Sequence, residues 1–251
     1  MAAANLAPRV LVTGASQGIG KAISLELARR GHFVLGVSRT KPEELADPAR
    51  SFESDHLAWK PLDLSNAAEV AQFASSLETT AIRGLILSAV DYGAGGRHPA
   101  ATTSAQEWQQ VIATNCIGQS VLVSHLLPKL VANSPGIIVN ISSDIAVSPG
   151  PGRAPYAASK AGLHATLRAV AAEHSVESLR VYQLIPTFQM ITTGIRRRRP
   201  AGFDFSSYAD PAVLAQLVNR LMDASGSYIT PGTYLVRRDG MMTPYSETEK
   251  V

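Results

Sequence analysis

Short unbroken apolar runs alternate along the chain with longer stretches whose apolar positions recur every three to four residues. "RVLVTG" (9–14) is an apolar run closed by glycine and predicts a buried strand. "IGKAISLELARRG" (19–31) has helical periodicity and a glycine stop. The same alternation predicts strands at 32–39, within 56–64, and at 82–90, 136–143, 179–186 and 232–238. Helices are predicted at 42–50, 66–78, 104–133, 155–176 and 210–224, with Pro128 bending or ending the third of these. The stretch 187–209 is the least regular. Strands buried on both faces read as continuous apolar runs, and strands that alternate with helices form parallel sheets. The expected fold is α/β: a Rossmann-type doubly wound parallel sheet of about seven strands with helices on both faces. A single domain over 1–251 is expected, with 187–209 as a mobile segment covering the substrate.

Composition narrows the function classes. The chain has 251 residues, is 45% hydrophobic and only 17% charged, and its net charge of +3 comes without a broad Lys/Arg face, so no nucleic-acid partner is expected. No run approaches the ~20 apolar residues of a bilayer span, and no charged start precedes an apolar run, so neither membrane nor secretory signal is expected. One cysteine, Cys116, excludes an intrachain disulfide and fits a reducing, cytoplasmic setting; it reads as a small buried hydrophobe. The six histidines show no metal-ligand spacing, so no metal is expected.

The first strand runs into "TGASQGIG", with Thr13, Gly14, Gly18 and Gly20. Small residues there let backbone approach a pyrophosphate, and the following helix offers its N-terminal N–H groups to that anion. In such folds an acidic residue ending the second strand accepts from the adenosine ribose. Here "GVSRT" has Ser38 and Arg39 and no acid, which favours NADP(H), because a guanidinium pairs with a 2′-phosphate. Arg39 as a solvated loop residue is the alternative. Asp63 has two readings, a contact to the adenine edge or a cap on the next helix.

Tyr156 and Lys160, in "PYAASKAG", are four residues apart, so a helix stacks them on one face. Either this is a surface accident or the ammonium lowers the phenol's pKa. "VNISSD" ends the preceding strand with Ser143, and Ser142 beside it is an alternative polar group. A glycine-rich TGxxxGxG turn, a strand-end serine and YxxxK, in that order, resemble the short-chain dehydrogenase/reductase family from Val10 to about Gly240.

That resemblance implies that Tyr156 donates a proton to a carbonyl oxygen receiving a hydride, that Lys160 favours phenolate and holds the nicotinamide ribose, and that Ser143 hydrogen-bonds the carbonyl. Asn115, in "ATNCIG", matches the family residue that bends its helix and holds a water leading from Lys160 to solvent. The implied dinucleotide contacts are Gly14, Ser16, Gly18, Ile19, Gly20, Ser38, Arg39, Asp63, Leu64, Ser88, Ala89, Tyr156, Lys160, Pro186 and Thr187.

Two stretches depart from the family pattern. Ser88-Ala89-Val90 stands where the family carries Asn-Ala-Gly, and Pro186-Thr187 where it carries Pro-Gly. The run Arg196–Arg199 reads first as a solvated loop face and second as an attractor of an acidic substrate or phosphopantetheine carrier. The expected activity is NADPH-dependent reduction of a small-molecule carbonyl substrate, free or carrier-bound, resembling ketoacyl or polyketide ketoreductases. The alternatives are a non-redox enzyme of the same fold (dehydratase, isomerase or cyclase) and a non-catalytic nucleotide-sensing protein. The resemblance further implies a homodimer or homotetramer assembled on the helices at 104–133 and 155–176.

Overall fold

A computed structural model describes residues 9–42, 56–77, 80–93, 97–223 and 229–246. One sheet organises it. Its strands are β1 (Arg9–Thr13), β2 (Phe33–Ser38), β3 (Leu57–Pro61), β4 (Ile82–Leu87), β5 (Gly136–Ile141), β6 (Leu179–Pro186), β7 (Gly232–Val236) and β8 (Met242–Pro244). They lie in the order β3-β2-β1-β4-β5-β6-β7-β8. All pairs are parallel except β7 with β8. The antiparallel eighth strand was not expected from the sequence. It follows a tight turn at Arg237–Gly240, where the Arg237 N–H donates to the Met241 carbonyl at 2.9 Å and Gly240 takes φ +80°.

The helices are α1 (Gly18–Arg29), α2 (Ala67–Ser75), α3 (Ala105–Ile112), α4 (Gly118–Ala132), α5 (Ala154–Ala172), the short α6 (Thr193–Arg197) and α7 (Ala212–Met222). Side-chain alternation along β1 explains the two layers. Leu11 faces the cluster formed with Leu122 and Leu126 of α4, Leu163 of α5 and Val70 of α2. Val10 and Val12 face the other side, against Ile23 and Leu27 of α1 and Leu214 and Leu217 of α7. Asn66 opens α2 by accepting the Glu69 N–H, and Ser104 opens α3 by accepting that of Glu107.

Several boundaries are corrected. The strand expected over 82–90 stops at Leu87, because the Ser88 and Ala89 N–H groups donate to Thr13 Oγ1 at 3.0 and 3.1 Å and leave the ladder. Pro128 does not end its helix, which continues to Ala132. The irregularity falls earlier: Ala113–Ile117 forms a π turn joining α3 to α4. The 28-residue helix Ala105–Ala132 is long and apolar enough to cross a membrane by composition, contrary to the expectation that no segment would be, yet its inner face is core. Cys116 is half-buried rather than buried. The helix expected at 42–50 lies outside the described residues.

Candidate active site

The sheet order reverses at β1, between β2 and β4, and ligands of open α/β sheets lie beyond the strand ends at such a point. A cavity of about 790 Å³ sits there. Its lining includes the expected Gly14, Ser16, Gly18, Ile19, Gly20, Ser38, Arg39, Asp63, Leu64, Ser88 and Ala89. Gly14 holds φ +71°, and a Cβ on it would lie 2.8 Å from Ala89 Cα. A Cβ on Gly20 would run into the Gly14 carbonyl. The turn therefore brings bare backbone to the cavity. Gln17, the residue before α1, makes no side-chain cap, and the first turn of α1 holds no acid. The helix N-terminus thus keeps its N–H groups and positive end for an anion. The Ser88 hydroxyl, at the cavity wall, is buried without a partner. A cradle of this shape, with uncapped donors and an orphaned hydroxyl, fits a dinucleotide.

The adenosine end is partly resolved by its hydrogen bonds. Ser38 Oγ donates to the Thr40 carbonyl and accepts from Trp59 Nε1, both at 2.8 Å, so it is committed to the protein. Arg39 stays exposed beside it. Asp63 Oδ1 accepts from the Ser65 N–H and hydroxyl, closing a turn, while the helix cap proper is Asn66. Of the expected dinucleotide contacts, Tyr156, Lys160, Pro186 and Thr187 stand outside the cavity lining. The Thr187 N–H and Oγ1 both donate to the Val236 carbonyl, tying the segment to β7.

The Tyr-Lys pair is on α5, as the spacing predicts, and both residues are buried. Their electrostatics differ from the expectation that Lys160 lowers the phenol. Burial is the largest influence on Tyr156 and drives its pKa above the ordinary phenol value. Tyr92 and Asp144 push the same way, and Ser143 and Arg153 oppose it. Lys160 is fully enclosed, and burial lowers its pKa to about 8. Its Nζ donates to the Ile141 carbonyl at 3.1 Å, at the end of β5.

Ser143 adjoins the phenol. Its single hydroxyl proton goes to Asp144 Oδ1 at 2.7 Å in one orientation and toward the phenol in another. Only the second eases ionisation of Tyr156. The alternative, Ser142, is buried with its hydroxyl unpartnered.

Asn115 occupies the middle of the π turn and is fully buried. Its Oδ1 accepts the Asp91 N–H, and its Nδ2 donates to the Asp91 carbonyl at 2.7 Å and to Ser159 Oγ at 3.0 Å. The extra residue of a π turn shifts the helix phase and aims this amide at the strand end and at α5 together. Its carboxamide is thus committed to protein groups.

Sequence reasoning missed several neighbours. Val90 packs beside Tyr156, Val111 and Ile145. The Tyr92 ring lies 5.1 Å from that of Tyr156, tilted by 40°. Thr192, Thr193, Gly194, Arg197 and Arg198 close the cavity from the segment after β6. None of these contacts has a local sequence signal, because each joins residues distant in the chain. Asp144, adjacent to Ser143, was legible by position alone.

Comparison with known proteins agrees with this geometry. Residues 8–201 match the family described as short chain dehydrogenase. An NADPH-dependent pterin aldehyde reductase of Arabidopsis thaliana is 32% identical over 179 residues, covering 70% of this chain and 73% of that protein. A 3-oxoacyl-(acyl-carrier-protein) reductase of Rickettsia bellii is 30% identical over 242 residues, covering 92% and 96%. A metagenomic short-chain oxidoreductase solved in complex with NADP superposes with a TM-score of 0.74 at 28% identity, covering 92% and 96%. The sheet reversal, the bare glycine turn and the Ser143, Tyr156 and Lys160 constellation therefore stand in an oxidoreductase, and the chain belongs to the short-chain dehydrogenase/reductase family.

Proposed function

We propose that the protein is an NADPH-dependent reductase that converts a substrate ketone or aldehyde to the alcohol. The observation that carries this reading is the buried Tyr156 phenol, in reach of the Ser143 hydroxyl and one helical turn from the buried Lys160, near the strand ends from which the dinucleotide cradle opens. Hydride is the chemistry that bound NADPH supplies there. As charge grows on the carbonyl oxygen, the Ser143 hydroxyl donates to it, and Tyr156 gives up its proton to the nascent alkoxide. A phenol whose pKa is raised by burial keeps its proton and stays neutral across neutral pH, so the acid form is the one present. In this reading the Lys160 ammonium, one turn along α5, stabilises the phenolate as it forms and holds the nicotinamide ribose.

NADPH oxidation followed at 340 nm against a panel of aldehydes and ketones tests the reading. Substrate conversion with no net NADPH consumption would favour isomerase or dehydratase chemistry in the same site. Neither conversion nor consumption would leave a nucleotide-binding protein.

Arg39 supports the choice of nucleotide, since the strand end "GVSRT" carries no acid to repel a 2′-phosphate. Arg39→Asp should weaken NADPH roughly ten- to a hundredfold, the equivalent of one charge-assisted hydrogen bond of about 1.5–3 kcal/mol, and spare NADH. Fluorescence titration of both nucleotides checks it, and equal affinity of the unsubstituted protein for the two would refute the assignment.

The same reading includes a homodimer or homotetramer. The helices α4 and α5 carry apolar residues on more than one face, and Ile117 is 46% exposed beside them. Sedimentation at micromolar protein should show an oligomer; a monomer alone contradicts this.

A further inference from the structure

The four consecutive arginines after β6 divide into two kinds. Arg196 lies 5.1 Å from the ring centre of Phe205, and Arg199 lies 5.0 Å from that of Phe203 while its Nη2 donates to Tyr208 Oη at 2.8 Å. Phe203, Phe205 and Tyr208 also pack edge to face with one another. These contacts anchor the segment, while all four arginines stay exposed, as the reading of a solvated face expects. Arg197 and Arg198 instead line the cavity.

Arg198 has the more specific setting. Its guanidinium sits 4.2 Å over the ring of Tyr92, and Tyr92 in turn packs on Tyr156. Cation–π attraction uses none of the N–H groups of the guanidinium, whose fork geometry matches the two oxygens of a carboxylate. Among the described residues no carboxylate pairs with Arg198. The Arg39 end of the cavity, not Arg198, carries the reading for the nucleotide phosphate, whereas a single aromatic side chain connects Arg198 to the phenol.

We propose that Arg198, seated on Tyr92, recognises a carboxylate on the substrate whose carbonyl group Tyr156 protonates. This rests on the reductase reading and names its substrate class: oxo acids, in preference to their neutral esters. The Tyr92 ring anchors the guanidinium at the cavity wall and joins it to the phenol, and the acid binds the guanidinium's N–H groups.

The test uses 4-carboxybenzaldehyde and methyl 4-formylbenzoate, which differ only in the anion, with the full chain and saturating NADPH. The unsubstituted enzyme should prefer the acid in kcat/KM by about tenfold or more. Arg198→Ala should abolish that preference by raising KM for the acid. Arg198→Lys, which keeps the charge and loses the fork, should recover only part of it. Calorimetric binding of the alcohol product, 4-(hydroxymethyl)benzoate, to the NADP⁺-loaded protein gives a readout independent of turnover.

Binding of that acid, lost in Arg198→Ala, supports the inference even if no carbonyl is reduced, in which case the reductase reading alone fails. Reduction of acid and ester with equal efficiency overturns the inference and leaves the reductase reading intact. A weakened NADPH affinity in Arg198→Ala overturns it as well, since the guanidinium then serves the nucleotide. Failure of the acid product to bind the unsubstituted protein has the same consequence.

Discussion

Tyr156→Phe is expected to lower kcat by about two to four orders of magnitude, the range of a lost general acid, with NADPH affinity changed less than twofold. The substitution deletes one oxygen and its proton. The ring keeps its packing against Val111, Ile145 and Ala157, and its tilted contact with Tyr92. Folding should therefore be nearly untouched, which separates this variant from one that fails by unfolding. Ser143→Ala should cost less, because the serine stabilises charge on the carbonyl oxygen but holds no proton that the product keeps. Combining Tyr156→Phe with Lys160→Met should cost little more than either alone, since residues that act as a unit are not additive. Single-turnover and steady-state rates on the best carbonyl of the panel give the measurement. Near-full activity of Tyr156→Phe would remove the phenol from the chemistry and with it the reductase assignment.

The second large effect runs in the opposite direction. Lys160→Met should stabilise the nucleotide-free protein at pH 7. Burial lowers the lysine's pKa from 10.5 to about 8 in the folded chain. Below pH 8 both folded and unfolded chains carry the charge, and the full penalty of enclosing it is present, on the order of 3 kcal/mol at 1.36 kcal/mol per unit. Between about pH 8 and 10.5 the unfolded chain binds a proton that the folded one lacks, so stability rises with pH through that window. The variant is free of this penalty but leaves the Ile141 carbonyl without the Nζ donor, a loss of about 1 kcal/mol or more. The net gain at pH 7 is of order 1–2 kcal/mol, or about 2–8 °C in Tm for a chain of this size. Thermal melts at pH 7 and pH 10 should show the gain shrinking or reversing at the higher pH, and a variant less stable at pH 7 would refute it. Activity should collapse in the same variant.

The sheet and the core of the site were legible because their signals are local. Apolar runs such as "GIIVNI" and the four-residue spacing of Tyr156 and Lys160 need only a few neighbours to be read. The antiparallel β8 was missed because it is three residues long and owes its place to a turn, not to hydrophobic pattern. The ring contacts of the arginine run were not foreseen, because guanidiniums on Phe203, Phe205 and Tyr92 are contacts of tertiary structure, and an exposed charge run looks the same whether or not it is stacked. The direction of the Tyr156 shift was misjudged for a related reason. Spacing along a helix says that two groups are near, but burial, which outweighs every other influence on this phenol, is a property of the whole fold.

The π turn at Ala113–Ile117 makes the site sensitive to the length of the chain as much as to its chemistry. A π turn is one residue more than an α-helix needs, and each residue advances a helix by about 100°. The inward faces of α3 and α4 are thus set against each other by a single inserted residue. Gly118, whose missing side chain admits the Leu64 carbonyl, follows immediately, and Leu122, Leu126 and Leu130 descend from it into the core. Deleting any one residue of the turn would restore regular helix and rotate this leucine row away from the sheet, whichever residue was removed. Many single substitutions on the outer face of this helix leave that phase intact. Apart from Asn115 and Gly118 the segment is therefore tolerant in spelling and intolerant in count, and insertions or deletions here carry a penalty that no conservative exchange of side chains can relieve.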